Sequence, residues 1–129
     1  MDRQAIIDRL LEHYERPRHY GPIADADVTL PGGIPECGDT VTIYLKADAA
    51  GERVAELRFE GRGCTISQAA ASLLAEELQG ARLADILAME DATLFQLIGA
   101  EVARARPRCA SLALHTLQSA VHHYQQSRR

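Results

Sequence analysis

Aromatic residues make up only 5% of this 129-residue chain, and tryptophan is missing. The core therefore has to be built from aliphatic side chains. No apolar run approaches the roughly 20 residues that a membrane-spanning helix needs. The opening stretch MDRQAIIDRLLEHYERPR sets charges among its apolar residues at helical spacing. It lacks the unbroken apolar stretch of a signal peptide, so a cytoplasmic location is expected. Concentrated positive charge is also scarce: the net charge is −4, and arginines gather only before Cys109 and at the last two positions. Neither nucleic acid nor a membrane is an expected partner. Cysteine is scarcest of the informative residues. Three of them cannot all pair within the chain, and without an export signal their thiols are expected to stay reduced. Free thiols, a metal or redox chemistry remain.

What is present suffices for one domain over residues 1–129, long enough to bury a core without disulfides. A composition of 47% hydrophobic and 25% charged residues excludes disorder. Ala5, Ile6, Ile7, Leu10, Leu11 and Tyr14 recur at helical spacing up to Pro17, which predicts a packing helix over about 2–15. Residues 18–36, rich in proline and glycine, read as an irregular connection with one short strand around Val28 to Leu30. TVTIYLKAD and RVAELRFEG alternate apolar with polar residues around an AAGE turn, which predicts an antiparallel hairpin. A helix follows GRGC, with Ile66, Ala69, Ala70, Leu73, Leu74 and Leu78 on one face until Gly80. Residues 82–100 fit two short helices or one broken one, and a last helix spans about Ala110 to Gln125. This order implies an α+β fold: a small antiparallel three-stranded sheet with several helices packed on one face.

Each cysteine sits at a junction. Cys37 leads through Gly38 and Asp39 into the first long strand, Cys64 lies where the second long strand gives way to a helix, and Cys109 opens the last helix after Pro107. Buried cysteine commonly acts as a small hydrophobe, yet the alanine-rich helix interiors hold none of these three. The joint pattern points to a shared thiol site. Cys109, with Arg104, Arg106 and Arg108 before it and a helix N-terminus beneath it, is expected to ionise readily. Zinc and iron in thiolate sites are usually tetrahedral, so a fourth ligand is wanted. Asp39, two residues beyond Cys37, would point to the same side of a strand as that cysteine; as a ligand or as a solvated cap it is equally well explained. Its harder oxygen among soft sulfurs would suit a site that releases as well as holds. His13, His19, His122 and His123 read as solvated, and His115 lies almost two turns beyond Cys109, outside the ligand set. Arg62, Arg106 and Arg108 are available to offset the negative charge of such a site.

The segments ECGDTV, GRGCTISQAAASLL and RPRCASLAL, together with the early HYERPRHYG, resemble the motifs of the IscU, SufU and NifU N-terminal family of iron–sulfur cluster assembly proteins. The resemblance runs from about Ile6 to Tyr124 with the motifs in order. It implies an α+β fold with the three cysteines at one exposed end, and a pyridoxal-phosphate cysteine desulfurase as partner that delivers sulfur as persulfide. Downstream assembly or acceptor proteins are the further partners. Carried over, Cys37, Asp39, Cys64 and Cys109 match the ligands of zinc or of an iron–sulfur cluster, [2Fe–2S] if a cluster, and Cys37 and Cys109 are the candidate sulfur acceptors. Arg108 stands where the IscU branch has histidine, and VARAR over 102–106 replaces that branch's chaperone-docking motif. The insertion usual in SufU proteins between the second and third cysteines is missing. The chain thus resembles SufU in chemistry and IscU in length, and either a sulfurtransferase or a non-enzymatic scaffold is implied. The rival from another class is a small structural zinc domain for protein interaction without sulfur transfer; such sites are closed and usually built from four Cys or His ligands.

Overall fold

Residues 2–128 are described by a computed structural model. The chain opens with helix α1 (Arg3–Glu15), capped by the Asp2 side chain, which accepts from the Ala5 N–H at 2.8 Å. Three strands follow, β1 (Val28–Ile34), β2 (Asp39–Ala47) and β3 (Val54–Arg62), forming one antiparallel sheet in the order β1-β2-β3. The rest is helical: α2 (Thr65–Glu77), α3 (Leu83–Ala88), α4 (Asp91–Ile98), α5 (Ala100–Ala105) and α6 (Pro107–Ser127).

The alternation in β2 sets the layering. Val41, Ile43, Leu45 and Ala47 are buried on one face, while Thr40, Thr42, Tyr44 and Lys46 lie on the other. On the buried face α6 lies over β1 and β2, and α2 lies over β3 and β2, so the helices gather on one side as the sequence order implies. Ala69, Ala70, Ala71 and Ala75 bury α2 almost all round and let it approach α1 and α6 closely. Leu45, Leu57, Phe59, Leu114 and Leu117 are fully enclosed at the centre, each contributing about 1.5–3 kcal/mol through burial.

Several local expectations need correction. The short strand around Val28 extends to Ile34, through Pro31, Gly32 and Gly33. An edge strand tolerates a proline, and Gly32 is required by close packing, since a Cβ there would meet Thr116 Oγ1 of α6 at 2.1 Å. The region 82–100 yields α3 and α4, and a further short helix, α5, lies between Gly99 and the final helix. That helix begins at Pro107, three residues before Ala110, with proline in its first turn. Leu11 and Tyr14 of α1 are exposed, and His13 is buried at 4% exposure. Its Nδ1 lies 2.7 Å from Ser72 Oγ on α2, and that oxygen also accepts from the Arg18 N–H at 2.8 Å. Burial first, then the nearby Arg18 charge, hold this imidazole below its ordinary range. Among the described residues no helix is long and apolar enough to cross a membrane.

Candidate metal centre

One end of the sheet meets the N-termini of α2 and α6, and three segments distant in sequence converge there. Asp39 is the first residue of β2 and points to the buried face, with 3% of its surface exposed. Cys64 is the N-cap of α2, its sulfur accepting from the Ser67 N–H at 3.5 Å. Cys109 is the third residue of α6 and is buried. One oxygen of Asp39 and the sulfurs of Cys64 and Cys109 lie within 4.8 Å of one another.

The supports of this group are local. The Cys64 N–H donates to Asp39 Oδ1 at 3.2 Å, and the Cys64 thiol donates to Oδ2 at 3.3 Å. Gly63, at φ +150°, has Asp39 so close that a Cβ would stand 2.6 Å from Oδ1 and 3.0 Å from Cα. Gln68, one turn into α2, ties that helix to the start of β2 by donating to the Thr40 carbonyl at 3.2 Å. Gly63 was expected only to allow a sharp turn before Cys64, and the supporting roles of Ser67 and Gln68 escaped the sequence reading.

Electrostatics here reverse one expectation. Burial and then hydrogen bonding to Cys64 and Asp39 push the Cys109 thiol up to about 12, so arginines and a helix N-terminus do not prime it as a thiolate. Arg108 is engaged elsewhere, its Nη2 pairing with Glu36 Oε2 at 3.1 Å, while Arg106 lines a small cavity beside Cys64. Burial raises the Asp39 carboxyl, but hydrogen bonds from Cys64, Cys109 and Ser67 outweigh it and hold it below the ordinary carboxylate range. The carboxylate is thus the anion of the group, and the buried thiol keeps its proton until a cation competes for it.

The donor set fits a thiophilic cation. Zinc bonds of about 2.3 Å to sulfur and about 2.0 Å to oxygen at tetrahedral angles set such ligands roughly 3.5 Å apart, close to the 3.3 Å between Cys64 Sγ and Asp39 Oδ2. Three donors leave a tetrahedral ion one short. Cys37 is exposed in the turn between β1 and β2 and lies outside the group of three. It is a turn residue and not a strand residue, so the two-residue parity with Asp39 does not govern where its side chain goes. Its N–H and that of Gly38 both donate to the Ile34 carbonyl at 3.0 Å. His115 sits farther along α6, bonded through Nε2 to Asp91 Oδ1 at 2.8 Å, also outside the group. His122 and His123 are exposed as expected.

Comparison with known proteins places the chain among its relatives. An iron–sulfur cluster assembly scaffold protein IscU 1 of Archaeoglobus fulgidus is 29% identical over 117 residues, covering 91% of this chain and 74% of that protein. A zinc-dependent sulfurtransferase SufU of Bacillus subtilis is 36% identical over 87 residues, covering 67% of this chain and 54% of the relative. The crystal structure of a nitrogen-fixing NifU-like protein (N-terminal) from Brucella abortus superposes with a TM-score of 0.78 over 94% of this chain and 98% of that one. At 22% identity that superposition speaks for the fold. Residues 5–129 match the profile of the NifU-like N terminal domain, and the chain belongs to that family.

Proposed function

We propose that this protein serves iron–sulfur cluster assembly as a SufU-like sulfur acceptor. It holds zinc through Cys37, Asp39, Cys64 and Cys109 and takes sulfur from the persulfide of a pyridoxal-phosphate cysteine desulfurase, for delivery to downstream assembly proteins. The observation that carries this reading is the convergence of Asp39, Cys64 and Cys109 within 4.8 Å of one another at the junction of three separate segments. Zinc, when bound, stabilises its cysteine ligands as thiolates.

The chain's own residues divide the work. Asp39, held as a carboxylate by the Cys64 N–H and the thiols around it, supplies fixed negative charge. Cys64 and Cys109 are half-buried and buried, so they serve retention. Cys37 is exposed and free to meet a partner's sulfur. As a thiolate it attacks the outer sulfur of the desulfurase persulfide; a new S–S bond forms at Cys37 as the donor's S–S bond breaks, and the donor cysteine leaves as thiolate. The exposed position of Cys37 speaks against the rival of a closed structural zinc site. Assembly of a [2Fe–2S] cluster on the same residues is the second reading, favoured by the Archaeoglobus relative named a scaffold, which aligns with 91% of this chain.

Elemental analysis of anaerobically purified wild type beside Asp39→Ala and Cys109→Ser separates the two. About one zinc per chain, lost in both variants, supports the sulfur-acceptor reading. Iron with matching sulfide supports the scaffold, and absence of both from the wild type overturns the zinc site.

A further inference from the structure

The sequence neighbours of two cysteines are joined directly. Glu36 precedes Cys37 in the β1–β2 turn, Arg108 precedes Cys109 in the first turn of α6, and their side chains meet at 3.1 Å. Both are largely exposed, each side chain at 66%. With the pair formed, the turn is docked on the N-terminus of α6, and the Cys37 thiol stands exposed and outside the group of Asp39, Cys64 and Cys109. The pair therefore coincides with the outward position of the thiol.

From this we infer that Glu36 and Arg108 are positioning residues: their ion pair is a latch that biases Cys37 away from metal ligation and toward a sulfur donor. The inference rests on the proposed metal site. A strong latch would prevent Cys37 from ever completing a four-ligand site, and no latch would leave the thiol captured by the metal. An exposed pair of this kind shifts an equilibrium by only about two- to fivefold, which suits a thiol that has to be both ligand and nucleophile. Because both side chains are exposed, the bias also weakens with salt.

The test is the rate of Cys37 alkylation by iodoacetamide, read by peptide mass spectrometry, in zinc-loaded and metal-free protein. Wild type is compared with Glu36→Gln, Arg108→Gln and the double reversal Glu36→Arg with Arg108→Glu. In zinc-loaded protein both single variants are expected to protect Cys37 about two- to fivefold more than wild type, and the double reversal to return it to the wild-type rate. Raising salt slows the zinc-loaded wild type and leaves the single variants unchanged. In metal-free protein the four rates coincide. The two neutralisations change local charge in opposite directions, so a simple field effect on the thiol would move their rates apart, whereas loss of a latch moves both the same way. Equal rates in all zinc-loaded proteins, faster alkylation in the single variants, or rates that diverge by sign of charge would overturn the latch. Cys64 and Cys109 report on the underlying site in the same spectra: if zinc protects them while Cys37 ignores the variants, the latch alone fails. If zinc protects none of the three, the metal site fails with it.

Discussion

Replacing Gly63 by alanine perturbs the proposed metal centre without replacing a ligand residue, and its effect can be worked from the structure. At φ +150° a residue with a side chain carries strain of about 1–3 kcal/mol. The new methyl would also lie 2.6 Å from Asp39 Oδ1, 2.7 Å from its Cγ and 3.0 Å from its Cα. The last of these is backbone, so the carboxylate cannot simply rotate away, and overpacking of this kind adds roughly 1–3 kcal/mol. A total loss of about 2–6 kcal/mol lowers Tm by roughly 8–24 °C in a domain of this size, at about 4 °C per kcal/mol. Gly38→Ala is the control: Gly38 also has a positive φ, +73°, but a Cβ there meets nothing within 4 Å, so only left-handed strain of about 1–2 kcal/mol applies. Scanning calorimetry without and with zinc reads both effects. Zinc at about 100 times its Kd raises the wild type by roughly 2.7 kcal/mol, and displacement of Asp39 removes most of that gain in Gly63→Ala. A Gly63→Ala protein that melts no lower than Gly38→Ala and keeps its full zinc response would refute the role assigned to this contact.

Cys37→Ser should abolish persulfide uptake from a desulfurase while the protein stays folded, checked by intact mass after turnover alongside circular dichroism; undiminished uptake would move the acceptor to another cysteine. Since the Cys109 thiol is pushed up to about 12, it is protonated at neutral pH and zinc has to displace that proton. Zinc affinity should therefore rise with pH, up to about tenfold per unit for each proton released, and calorimetry in buffers of different ionisation heat should detect proton release on binding. His13 is held below its ordinary value of 6.5 by burial and then by Arg18. The stability it protects is complete above that value and is lost as pH falls toward the lower folded value, because the unfolded chain takes up the proton first. Urea midpoints on either side of pH 6.5 should show a loss of up to about 1.4 kcal/mol per pH unit, absent in His13→Gln.

The strands β2 and β3 and the helices α2 and α6 were legible because their packing writes a period into the sequence: Val41, Ile43 and Leu45 at period two, Leu73, Leu74 and Leu78 at helical spacing. The length of β1 was not legible, because Pro31, Gly32 and Gly33 carry no strand preference and are there for the edge position and for Thr116. His13 looked solvated for a similar reason: its hydrogen-bond partner Ser72 lies 59 residues away. The site shows both sides of this rule. Junction placement and motif order pointed to Asp39, Cys64 and Cys109 as neighbours, whereas the state of the Cys109 thiol was misread. Arginines beside it in sequence suggested a low pKa, but burial together with Cys64 and Asp39 beside it in space set a high one. Asp39 was set on the same side as Cys37 by strand parity, a rule that stops applying where the chain turns.

The ligand positions also have a topological meaning. Asp39 and Cys64 are 25 residues apart, and Cys109 lies farther along still, so an ion held by all three pins the sheet to the starts of two helices. An ion that stayed on both residues as the chain opened would close a loop of that length and restrict the unfolded chain by about 3.5 kcal/mol, before any contact in the native state is counted. An occupant bound as proposed would therefore act as a removable staple for the tertiary structure. On that reading the metal-free protein is the form more readily opened and cut by proteases, and limited proteolysis with and without zinc checks it.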